Sequence, residues 1–206
     1  IDNGECSLSP LDWHNYKDFD AFKSTIAGVV SNSSKVKEES IKWNLITEEQ
    51  CVVVPNGVNP YVFKKIDKLQ ARRDLGYNEK DFIVAYTGWF YERKGYNRVA
   101  EAITRLDSLN IKSIFIGKTA EKGTKPSCEG ILHCGPVANK EMYKYLNAAD
   151  VFVLPTTNEG CCNALIEALA CGLPIISSNQ RFNDDILADD YSIRIDPMDV
   201  DAITKA

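Results

Sequence analysis

The segment Val151-Phe-Val-Leu-Pro-Thr-Thr-Asn-Glu-Gly-Cys-Cys-Asn-Ala-Leu-Ile-Glu-Ala-Leu-Ala-Cys171 carries the pattern that decides the fold of this 206-residue chain. Its first five residues are apolar at successive positions, which is typical of a strand that is covered on both faces. A polar loop follows, and then a helical stretch from Asn163 to Cys171, which the breakers Gly172 and Pro174 bring to an end. The segment therefore predicts a strand, a loop and a helix of an α/β domain.

The same alternation extends to both sides of this segment, from residue 51 onward. Short apolar runs predict further strands at 51–55, 82–86, 113–117, 130–133, 174–178 and 191–195. Apolar residues recur at helical spacing over 96–106 and 139–149, which predicts amphipathic helices. Strands that alternate with helices predict a doubly wound, Rossmann-like α/β domain with a parallel sheet.

Residues 1–50 have a different pattern. A strand is predicted at 27–31 and a helix at 34–43, which are too few elements to form a core. We interpret 1–50 as the tail of a preceding domain and 51–206 as a second domain, with the turn-rich segment 55–60 near the junction. The chain begins with Ile rather than Met, and 200–206 has the pattern of a helix cut after about two turns, so we expect a piece of a longer protein.

Composition argues against several classes of protein. With 44% hydrophobic and 26% charged residues, the chain is typical of a soluble globular protein, and a net charge of -5 disfavours nucleic acid as the main partner. There is neither an apolar run long enough to cross a membrane nor a secretory signal, so we expect a cytoplasmic protein. The seven cysteines lack a Cys-x-x-Cys spacing, which favours reduced thiols, and Cys128, His133 and Cys134 lack a fourth metal ligand.

Several familiar catalytic motifs are incomplete. Gly117-Lys-Thr119 follows a strand, as the phosphate loop of nucleotide hydrolases does, but position 112 is Lys where that loop needs Gly. No Gly-x-Gly-x-x-Gly follows a predicted strand, so the dinucleotide fingerprint is missing. The two histidines, His14 and His133, have no neighbouring Ser/Asp or Cys/Asn constellation, so we predict no hydrolytic triad.

Two carboxylates of the opening segment are candidates for ligand binding. Ligands of open parallel sheets lie beyond the carboxyl ends of the strands, where helix N-termini attract anions. Glu167 is the only charged residue in its helical stretch, and a buried carboxylate needs a partner such as the hydroxyls of a sugar. Glu159, eight residues earlier, could bind further hydroxyls of the same ligand. The spacing is equally compatible with a solvent-facing Glu167 and a loop charge at Glu159.

A second candidate loop is Thr87-Gly-Trp-Phe-Tyr-Glu-Arg-Lys-Gly95, which also follows a strand and precedes a helix. Arg93 and Lys94 could neutralise a diphosphate, each contact being worth about 4 kcal/mol in gross Coulomb terms at an effective dielectric of about 20. An isolated Arg-Lys pair is more often a solvated basic turn. The position of this pair at the same predicted sheet edge as Glu159 favours the functional interpretation.

These motifs belong to a longer ordered set. In chain order the set comprises Pro55-Asn-Gly-Val-Asn59, Thr87-Gly88, Arg93-Lys-Gly95, Gly117, Gly135-Pro-Val137, Ala149-Asp150, Pro155 and the stretch from Glu159 to Pro174. Over residues 50–206 the set resembles the C-terminal half of the retaining glycosyltransferases of group 1, family 4, which have the GT-B fold. The resemblance implies that 51–206 is the donor-binding half of a two-domain enzyme and that 1–50 ends its N-terminal domain.

The resemblance also implies roles for individual residues. Family members bind a nucleotide-diphosphate sugar between their two domains; here Glu167 would hold the ribose hydroxyls, Glu159 the donor-sugar hydroxyls and Lys94 the diphosphate. The remaining donor-binding positions, which supply main-chain amides to the sugar and phosphates or lie near the base, would be Gly88, Val137, Gly160, Cys161, Cys162 and Asn163. Catalysis would be mainly electrostatic, through stabilisation of the leaving diphosphate, without a metal or other cofactor.

One departure from the family pattern concerns the diphosphate. The family commonly has Arg immediately after the Gly that ends the strand, and this chain has Trp89 there. We hypothesise that Arg93 takes the place of that cation. The expected catalytic residues are therefore Glu159, Lys94 and Arg93.

The activity implied by the resemblance is transfer of a hexose from a UDP-, GDP- or ADP-sugar to a glycan or lipid-linked acceptor, with retention of configuration. Acceptor-side residues would belong to the N-terminal domain, so we expect the fragment alone to be inactive. The family resemblance also implies that the parent protein associates peripherally with the inner face of a membrane. The sequence leaves open a nucleotide-sugar-binding module without turnover, a sugar-nucleotide epimerase, and a phosphorylase of related fold, although no motif marks a pyridoxal-binding Lys.

Overall fold

The computed structural model describes residues 19–106, 109–119 and 123–206. In chain order the strands are β1 (Val29–Ser31), β2 (Cys51–Val53), β3 (Ile83–Thr87), β4 (Lys112–Ile116), β5 (Ile131–Gly135), β6 (Val151–Leu154), β7 (Ile175–Ser178) and β8 (Ser192–Ile195). The α-helices are α1 (Phe19–Ser24), α2 (Ser34–Lys42), α3 (Lys68–Leu75), α4 (Tyr96–Arg105), α5 (Asn139–Ala148), α6 (Asn163–Ala170) and α7 (Val200–Lys205), and 3₁₀ turns lie at Glu92–Lys94 and Arg181–Asn183.

Six strands form the central sheet, in the order β5-β4-β3-β6-β7-β8, and every neighbouring pair is parallel. The chain moves from β3 to β5 in one direction and from β6 to β8 in the other. Because crossovers between parallel strands are right-handed, α4 and α6 lie on opposite faces of the sheet. Helices also pack in pairs, α4 against α7 and α3 against α5. The predicted doubly wound parallel sheet is confirmed.

The core lies between the sheet and these helices. All five residues of β3 are buried, because β3 lies in the middle of the sheet and is covered on both faces. Tyr86, Phe115 and Phe152, which come from the neighbouring strands β3, β4 and β6, are completely buried. The successive apolar residues from which the strands were predicted therefore reflect burial on both faces of the sheet.

Strand β2 does not join the central sheet, although the apolar run at 51–55 is predicted to begin the α/β alternation. It pairs with β1 in a separate two-stranded parallel sheet, with Val30 opposite Val52. Both valines are exposed, so this run is not covered on both faces as the runs of the central sheet are. A short apolar run predicts a strand but does not predict which strand it will pair with. The prediction that the run at 51–55 belongs to the same sheet as the later strands is therefore wrong. The division of the chain into two domains near residue 50 stays a prediction.

Helix α3 is absent from the sequence prediction. Its residues are mostly polar and charged, so the apolar stripe that predicts a helix is weak. The signals for its ends were available: the Asp67 carboxylate accepts a hydrogen bond from the main-chain N–H of Gln70 at 2.7 Å, and Gly76 ends the helix with a φ of 71°. An Asp N-cap and a left-handed Gly are common helix boundaries.

Asp150 ties α3 to the amino ends of the central strands. Its carboxylate accepts hydrogen bonds from Arg72 at 2.6 Å, from Lys68 at 2.7 Å and from the main-chain N–H of Ile83 at 2.8 Å. Burial alone would raise the pKa of Asp150, but the hydrogen bonds from Lys68 and Ile83 and the charge of Arg72 outweigh burial and lower it. This ion-pair cluster lies at the end of the sheet opposite to the carboxyl ends of the strands, so its role is structural.

His14 and one of the seven cysteines, Cys6, lie outside the described residues, as does the rest of 1–18. Within the described ranges, none of the helices combines the length and the apolar character that crossing a membrane requires.

Candidate functional site

Strands β3 and β6 are neighbours, and the chain leaves their carboxyl ends toward opposite edges of the sheet. Ligands of open α/β sheets bind at such a point, because the two departing loops leave a crevice between them. The loop after β3 covers residues 88–95, and the loop after β6 covers 155–162. These are the two loops that the sequence singled out, so the fold brings both motifs to one place.

A cleft of about 780 Å³ opens at this point, which is a typical volume for a ligand-binding site. The predicted site residues that line it are Gly88, Arg93, Lys94, Val137, Glu159, Cys161, Cys162, Asn163 and Glu167. Gly160 is the exception, because it does not line the cleft. A Cβ on Gly160 would lie 3.5 Å from the Oδ1 atom of Asn32, so this part of the loop faces the segment before α2.

Two glycines allow the loops to pack closely. A Cβ on Gly117 would lie 1.9 Å from the carbonyl oxygen of Gly88, so only glycine fits where the loop after β4 crosses the loop after β3. Gly95 has a φ of 76°, and a Cβ there would lie 2.5 Å from the carbonyl oxygen of Pro155. The loop after β3 therefore rests directly on the loop after β6.

The side chain of Arg98 also connects the loop after β3 with the loop after β6. Its guanidinium donates to the carbonyl oxygen of Pro155 at 2.9 Å and to that of Glu92 at 3.2 Å, and the residue is buried. Sequence reasoning did not identify Arg98. The available signal was a charged residue in the first turn of a predicted helix, beside its apolar face.

Glu159 joins the two loops electrostatically. Its Oε1 atom accepts hydrogen bonds from Lys94 Nζ at 2.6 Å and from Thr156 Oγ1 at 2.7 Å, and a guanidinium nitrogen of Arg93 lies 3.5 Å away. Only 8% of Glu159 is exposed, so these partners offset the cost of burying its charge. Thr156 is completely buried and was not predicted as a site residue. Sequence reasoning assigned Lys94 and Glu159 to different parts of a ligand, whereas the structure joins them in one cluster.

Arg93 makes further contacts with the loop after β6. It donates to the carbonyl oxygen of Asn158, and its own carbonyl oxygen accepts from the N–H of Thr157 at 3.0 Å. The basic pair is therefore fixed at the cleft wall and is not a solvated turn.

Glu167 faces the same cleft from α6. Burial raises its pKa to about 7. Among residues 19–106, 109–119 and 123–206, no side chain or main-chain group forms a hydrogen bond or an ion pair with its carboxyl group. A carboxyl group that lines a cleft, is perturbed by burial and lacks a protein partner is a candidate for contact with a ligand. The solvent-facing alternative for Glu167 does not describe this structure.

The N-terminus of α6 also opens into the cleft. Its cap residue Cys162 makes no side-chain capping hydrogen bond, and the N–H of Leu165 donates to the carbonyl oxygen of Cys162 at 3.1 Å. Within the described residues, the N–H groups of Asn163 and Ala164 therefore remain available to an anion. The Oδ1 atom of Asn163 accepts a hydrogen bond from Asn56 at 2.8 Å. Asn56 thereby brings the turn-rich segment 55–60 to the rim of the site, a contact that the sequence could not predict.

Apolar side chains line the cleft near the carboxyl ends of β4 and β5. They are Ile116, Pro136, Val137 and Met142, and Lys118 lies beside them after β4. Strands β4 and β3 separate β5 from β6, so this apolar surface lies apart from the loop that carries Glu159.

His133 and Cys128, which were considered as metal ligands, contact other residues of the fold. The His133 ring lies 4.8 Å from the Tyr145 ring, and its Nε2 atom is 3.2 Å from the carbonyl oxygen of Gly135. Cys128 lies 3.7 Å from the Ser113 hydroxyl. In the part of the chain that the structure describes, no three His, Cys, Asp or Glu side chains are arranged to hold a metal ion.

Comparison with curated proteins identifies relatives that span more than this chain. The putative teichuronic acid biosynthesis glycosyltransferase TuaC of Bacillus subtilis is 30% identical over 193 residues, which cover 91% of this chain and 48% of TuaC. A D-inositol 3-phosphate glycosyltransferase of Stackebrandtia nassauensis is 26% identical over 168 residues, which cover 73% of this chain and 38% of that protein. The chain thus spans about half the length, or less, of these relatives.

Solved structures share the fold. Sucrose-phosphate synthase of Thermosynechococcus elongatus matches with a TM-score of 0.77 at 21% identity, covering 91% of this chain and 50% of that one. HepE of Anabaena, solved in complex with UDP and glucose, matches with a TM-score of 0.76 at 15% identity, covering 97% of this chain and 57% of that one. These neighbours are GT-B glycosyltransferases, which confirms the predicted fold class.

A family model covers most of the chain as well. The model described as "Glycosyl transferases group 1" matches residues 67–206, which include both loops of the cleft and all of the central sheet. The chain belongs to the group 1 glycosyl transferases.

Proposed function

We propose that this chain supplies the donor site of an enzyme that transfers a hexose from a nucleotide-diphosphate sugar to a glycan or lipid-linked acceptor, with retention of configuration. Turnover is proposed for the whole protein, since the chain spans about half of its relatives. The observation that carries the proposal is the cleft at the β3–β6 switch point, where Lys94, Glu159 and Glu167 face one volume of about 780 Å³.

The diphosphate would lie against the positive groups of the cleft. The groups proposed for this contact are Arg93, Lys94 and the main-chain N–H groups of Asn163 and Ala164 at the start of α6. A lysine ammonium has three N–H donors, and Glu159 occupies one of them at 2.6 Å, so Lys94 can also donate to phosphate oxygens. Because the cations are fixed before the ligand arrives, they would stabilise charge as it develops on the leaving diphosphate. We propose that they do so without a metal ion.

The hydroxyl groups of the ligand would bind the two carboxylates. Within the described part of the chain, the carboxyl group of Glu167 has no hydrogen-bond donor. The two hydroxyls of a ribose would supply hydrogen bonds that favour its charged form and lower its pKa. In Glu159 the contacts to Lys94, Arg93 and Thr156 all involve Oε1, so Oε2 is the oxygen that would accept from the donor sugar. The apolar surface that includes Val137 would pack against the base.

The ligands of the structural neighbours support a uridine nucleotide as the first donor to test. HepE was solved with UDP and with UDP-glucose, and Staphylococcus aureus TarM with UDP and other ligands. These ligands belong to those proteins, whose identities to this chain are 15–16%.

Calorimetric titration of the folded chain with UDP, GDP and ADP tests the proposal. We expect one nucleotide to bind, and we expect Glu167→Ala to weaken that binding about tenfold or more, because it removes charge-assisted hydrogen bonds. Glu129→Ala is the matched control, since Glu129 is exposed at the amino end of β5, away from the cleft. If none of the three nucleotides binds to a folded sample, or if both variants bind equally well, the donor-site proposal is wrong.

A further inference from the structure

Trp89 and Tyr91 form an exposed aromatic pair at the mouth of the cleft. Their ring centroids are 5.6 Å apart and their planes differ by 13°, so the rings are stacked. Trp89 is 48% exposed and Tyr91 is 42% exposed, and both line the cleft. The donor contacts proposed above do not use either ring. Large aromatic side chains that are exposed together at the edge of a site are typical of a binding surface.

The backbone that carries the pair is firmly held. Phe90, between the two residues, points into the core with 1% exposure and packs against Tyr96 at 5.4 Å. The N–H of Phe90 donates to the carbonyl oxygen of Lys118 at 2.8 Å, and the Tyr86 hydroxyl donates to that of Trp89 at 3.1 Å. The rings are therefore presented on a fixed support, so a ligand that binds them has little chain to immobilise.

Tyr91 also lines a second depression, of about 470 Å³, which we call the outer groove. Its other lining residues are Glu92, Arg93, Arg98, Thr157 and Met198. Tyr91 and Arg93 line both the cleft and the outer groove, so the two spaces adjoin at these residues. The groove thus combines an aromatic ring with a carboxylate, a guanidinium and a hydroxyl group.

This combination matches the chemistry of a pyranose ring. A pyranose has a face of C–H groups, which packs favourably against the electron-rich face of an aromatic ring, and an edge of hydroxyls. Glu92 can accept hydrogen bonds from such hydroxyls, and Arg93 can donate to them. The guanidinium groups of Arg93 and Arg98, which both line the groove, already donate to main-chain carbonyl oxygens. The Glu92 carboxylate would repel a polyanion, so the groove favours a neutral sugar.

We propose that Trp89, Tyr91 and the outer groove form a subsite for a neutral pyranose unit of the acceptor. The assignment to the acceptor rests on the donor-site function proposed above, in which Glu159 and Glu167 take the hydroxyls of the donor. The outer groove adjoins the cleft at Tyr91 and Arg93, so a sugar unit bound in the groove would lie next to the donor. This subsite would add to the acceptor-side residues that the family resemblance assigns to the N-terminal domain. Trp89, which stands where the family commonly has Arg, then contributes to sugar recognition and not to diphosphate binding.

Saturation-transfer NMR on the chain tests this proposal, with cellobiose and methyl α-glucopyranoside as probes, each with and without saturating UDP. We expect transfer to the ring C–H protons of a probe in the presence of UDP. Trp89→Ala and Tyr91→Ala should each weaken probe binding about tenfold, as truncation of an aromatic anchor does, while UDP affinity changes less than about twofold. Tyr61→Ala is the matched control, because Tyr61 is 88% exposed and lies outside both spaces.

The outcomes separate the two proposals. If UDP binds but neither probe shows saturation transfer, or if transfer persists in the Trp89→Ala/Tyr91→Ala double variant, the subsite is wrong and the donor site stands. If the probes bind through Trp89 and Tyr91 while no nucleotide binds, the donor-site function is wrong and the assignment to an acceptor falls with it.

Discussion

The ammonium group of Lys94 lies 2.6 Å from the carboxylate of Glu159, although the two residues are 65 positions apart in the chain. Lys94 belongs to the loop after β3 and Glu159 to the loop after β6, so their contact exists only because these strands are neighbours. The geometry of the site at Lys94 and Glu159 therefore depends on the correct pairing of β3 with β6.

A double-mutant cycle should show strong coupling between these two residues. Lys94→Ala leaves a largely buried carboxylate with only Thr156 and Arg93 as partners, and Glu159→Ala leaves the ammonium unpaired. We expect each single substitution to lower the free energy of unfolding by about 1–3 kcal/mol, and we expect a coupling energy above about 1 kcal/mol, as measured by urea denaturation.

The exposed pair Lys144–Glu141 provides the control for this cycle. Its atoms are 2.5 Å apart, close to the 2.6 Å of Lys94–Glu159, but its side chains are 31% and 42% exposed, compared with 19% and 9%. Exposed pairs contribute little, so its coupling should be clearly weaker than that of Lys94–Glu159. Equal coupling in the two cycles would contradict the role assigned to burial.

Arg93 and Lys94 should both contribute to donor affinity. If Arg93 replaces the cation that the family has at the position of Trp89, Arg93→Ala should weaken nucleotide-diphosphate binding about tenfold, as loss of a charge-assisted contact does. Lys94→Ala should weaken it at least as much. Calorimetric titration with the nucleotide that the wild-type chain binds provides the measurement. A normal affinity in Arg93→Ala beside a reduced one in Lys94→Ala would show that Arg93 is not the replacement.

Glu167 should make the chain less stable as the pH rises from about 4.5 to about 7. Burial raises its pKa from 4.5 to about 7, so the unfolded chain loses this proton at lower pH than the folded chain. Over this interval the folded state binds more protons, and stability falls with pH by up to about 3 kcal/mol, reduced by the partial exposure of the group. Below pH 4.5 both states are protonated, and the full stability is present.

Urea denaturation of wild type and Glu167→Gln across pH 4–8 measures this effect. The variant cannot ionise at position 167, so its stability should exceed that of the wild type increasingly above pH 5. Glu129→Gln, at an exposed position, should follow the wild-type curve. Parallel curves for wild type and Glu167→Gln would show that this carboxyl group does not titrate near neutral pH.

Gly117→Ala should disrupt the cleft. The new methyl group would lie 1.9 Å from the carbonyl oxygen of Gly88, so the loops after β3 and β4 would have to separate. We expect a loss of about 1–3 kcal/mol in stability, typical of overpacking, together with weaker nucleotide binding. Gly57→Ala is the control, because a Cβ there has no neighbour within 4 Å, and it should change neither property. Normal binding by Gly117→Ala would place the ligand elsewhere.

Much of the fold could be predicted from local patterns. The runs that became β3, β4, β6 and β7 are apolar because these strands are covered on both faces. Strand β5 is only partly buried, and Ile193 of β8 is 49% exposed, so these two runs reflect burial less completely. The run at 51–53 is equally apolar, but its partner is β1, and the choice of partner depends on chain geometry that no local pattern encodes. Helix α3 escaped prediction because its weak apolar stripe gives little signal, although Asp67 and Gly76 mark its ends.

The residues of the candidate site can also be divided into those that the sequence indicated and those that it did not. Arg93, Lys94, Glu159 and Glu167 could be singled out because charged residues after strands, or alone in an apolar stretch, are unusual. Thr156 and Asn56 could not, since their contacts with Glu159 and Asn163 arise only on folding. Arg98 gave a signal, as a charged residue beside the apolar face of a predicted helix, but its contact with Pro155 arises only on folding as well. Gly160 was predicted with the cleft but faces Asn32, because a loop's sequence does not fix which way each residue turns.

The sequence by itself determined the α/β class, the order of the central strands and the residues that carry charge at strand ends, because hydrophobic periodicity and residue identity are local properties of the chain. The tertiary structure alone decided that β3 and β6 are neighbours, and so brought Lys94 within 2.6 Å of Glu159. It also decided that Glu167 is buried enough to have a pKa of about 7, and that Trp89 and Tyr91 stack outward beside the cleft. Distances and burial arise from packing between segments remote in sequence, and only the folded chain defines them.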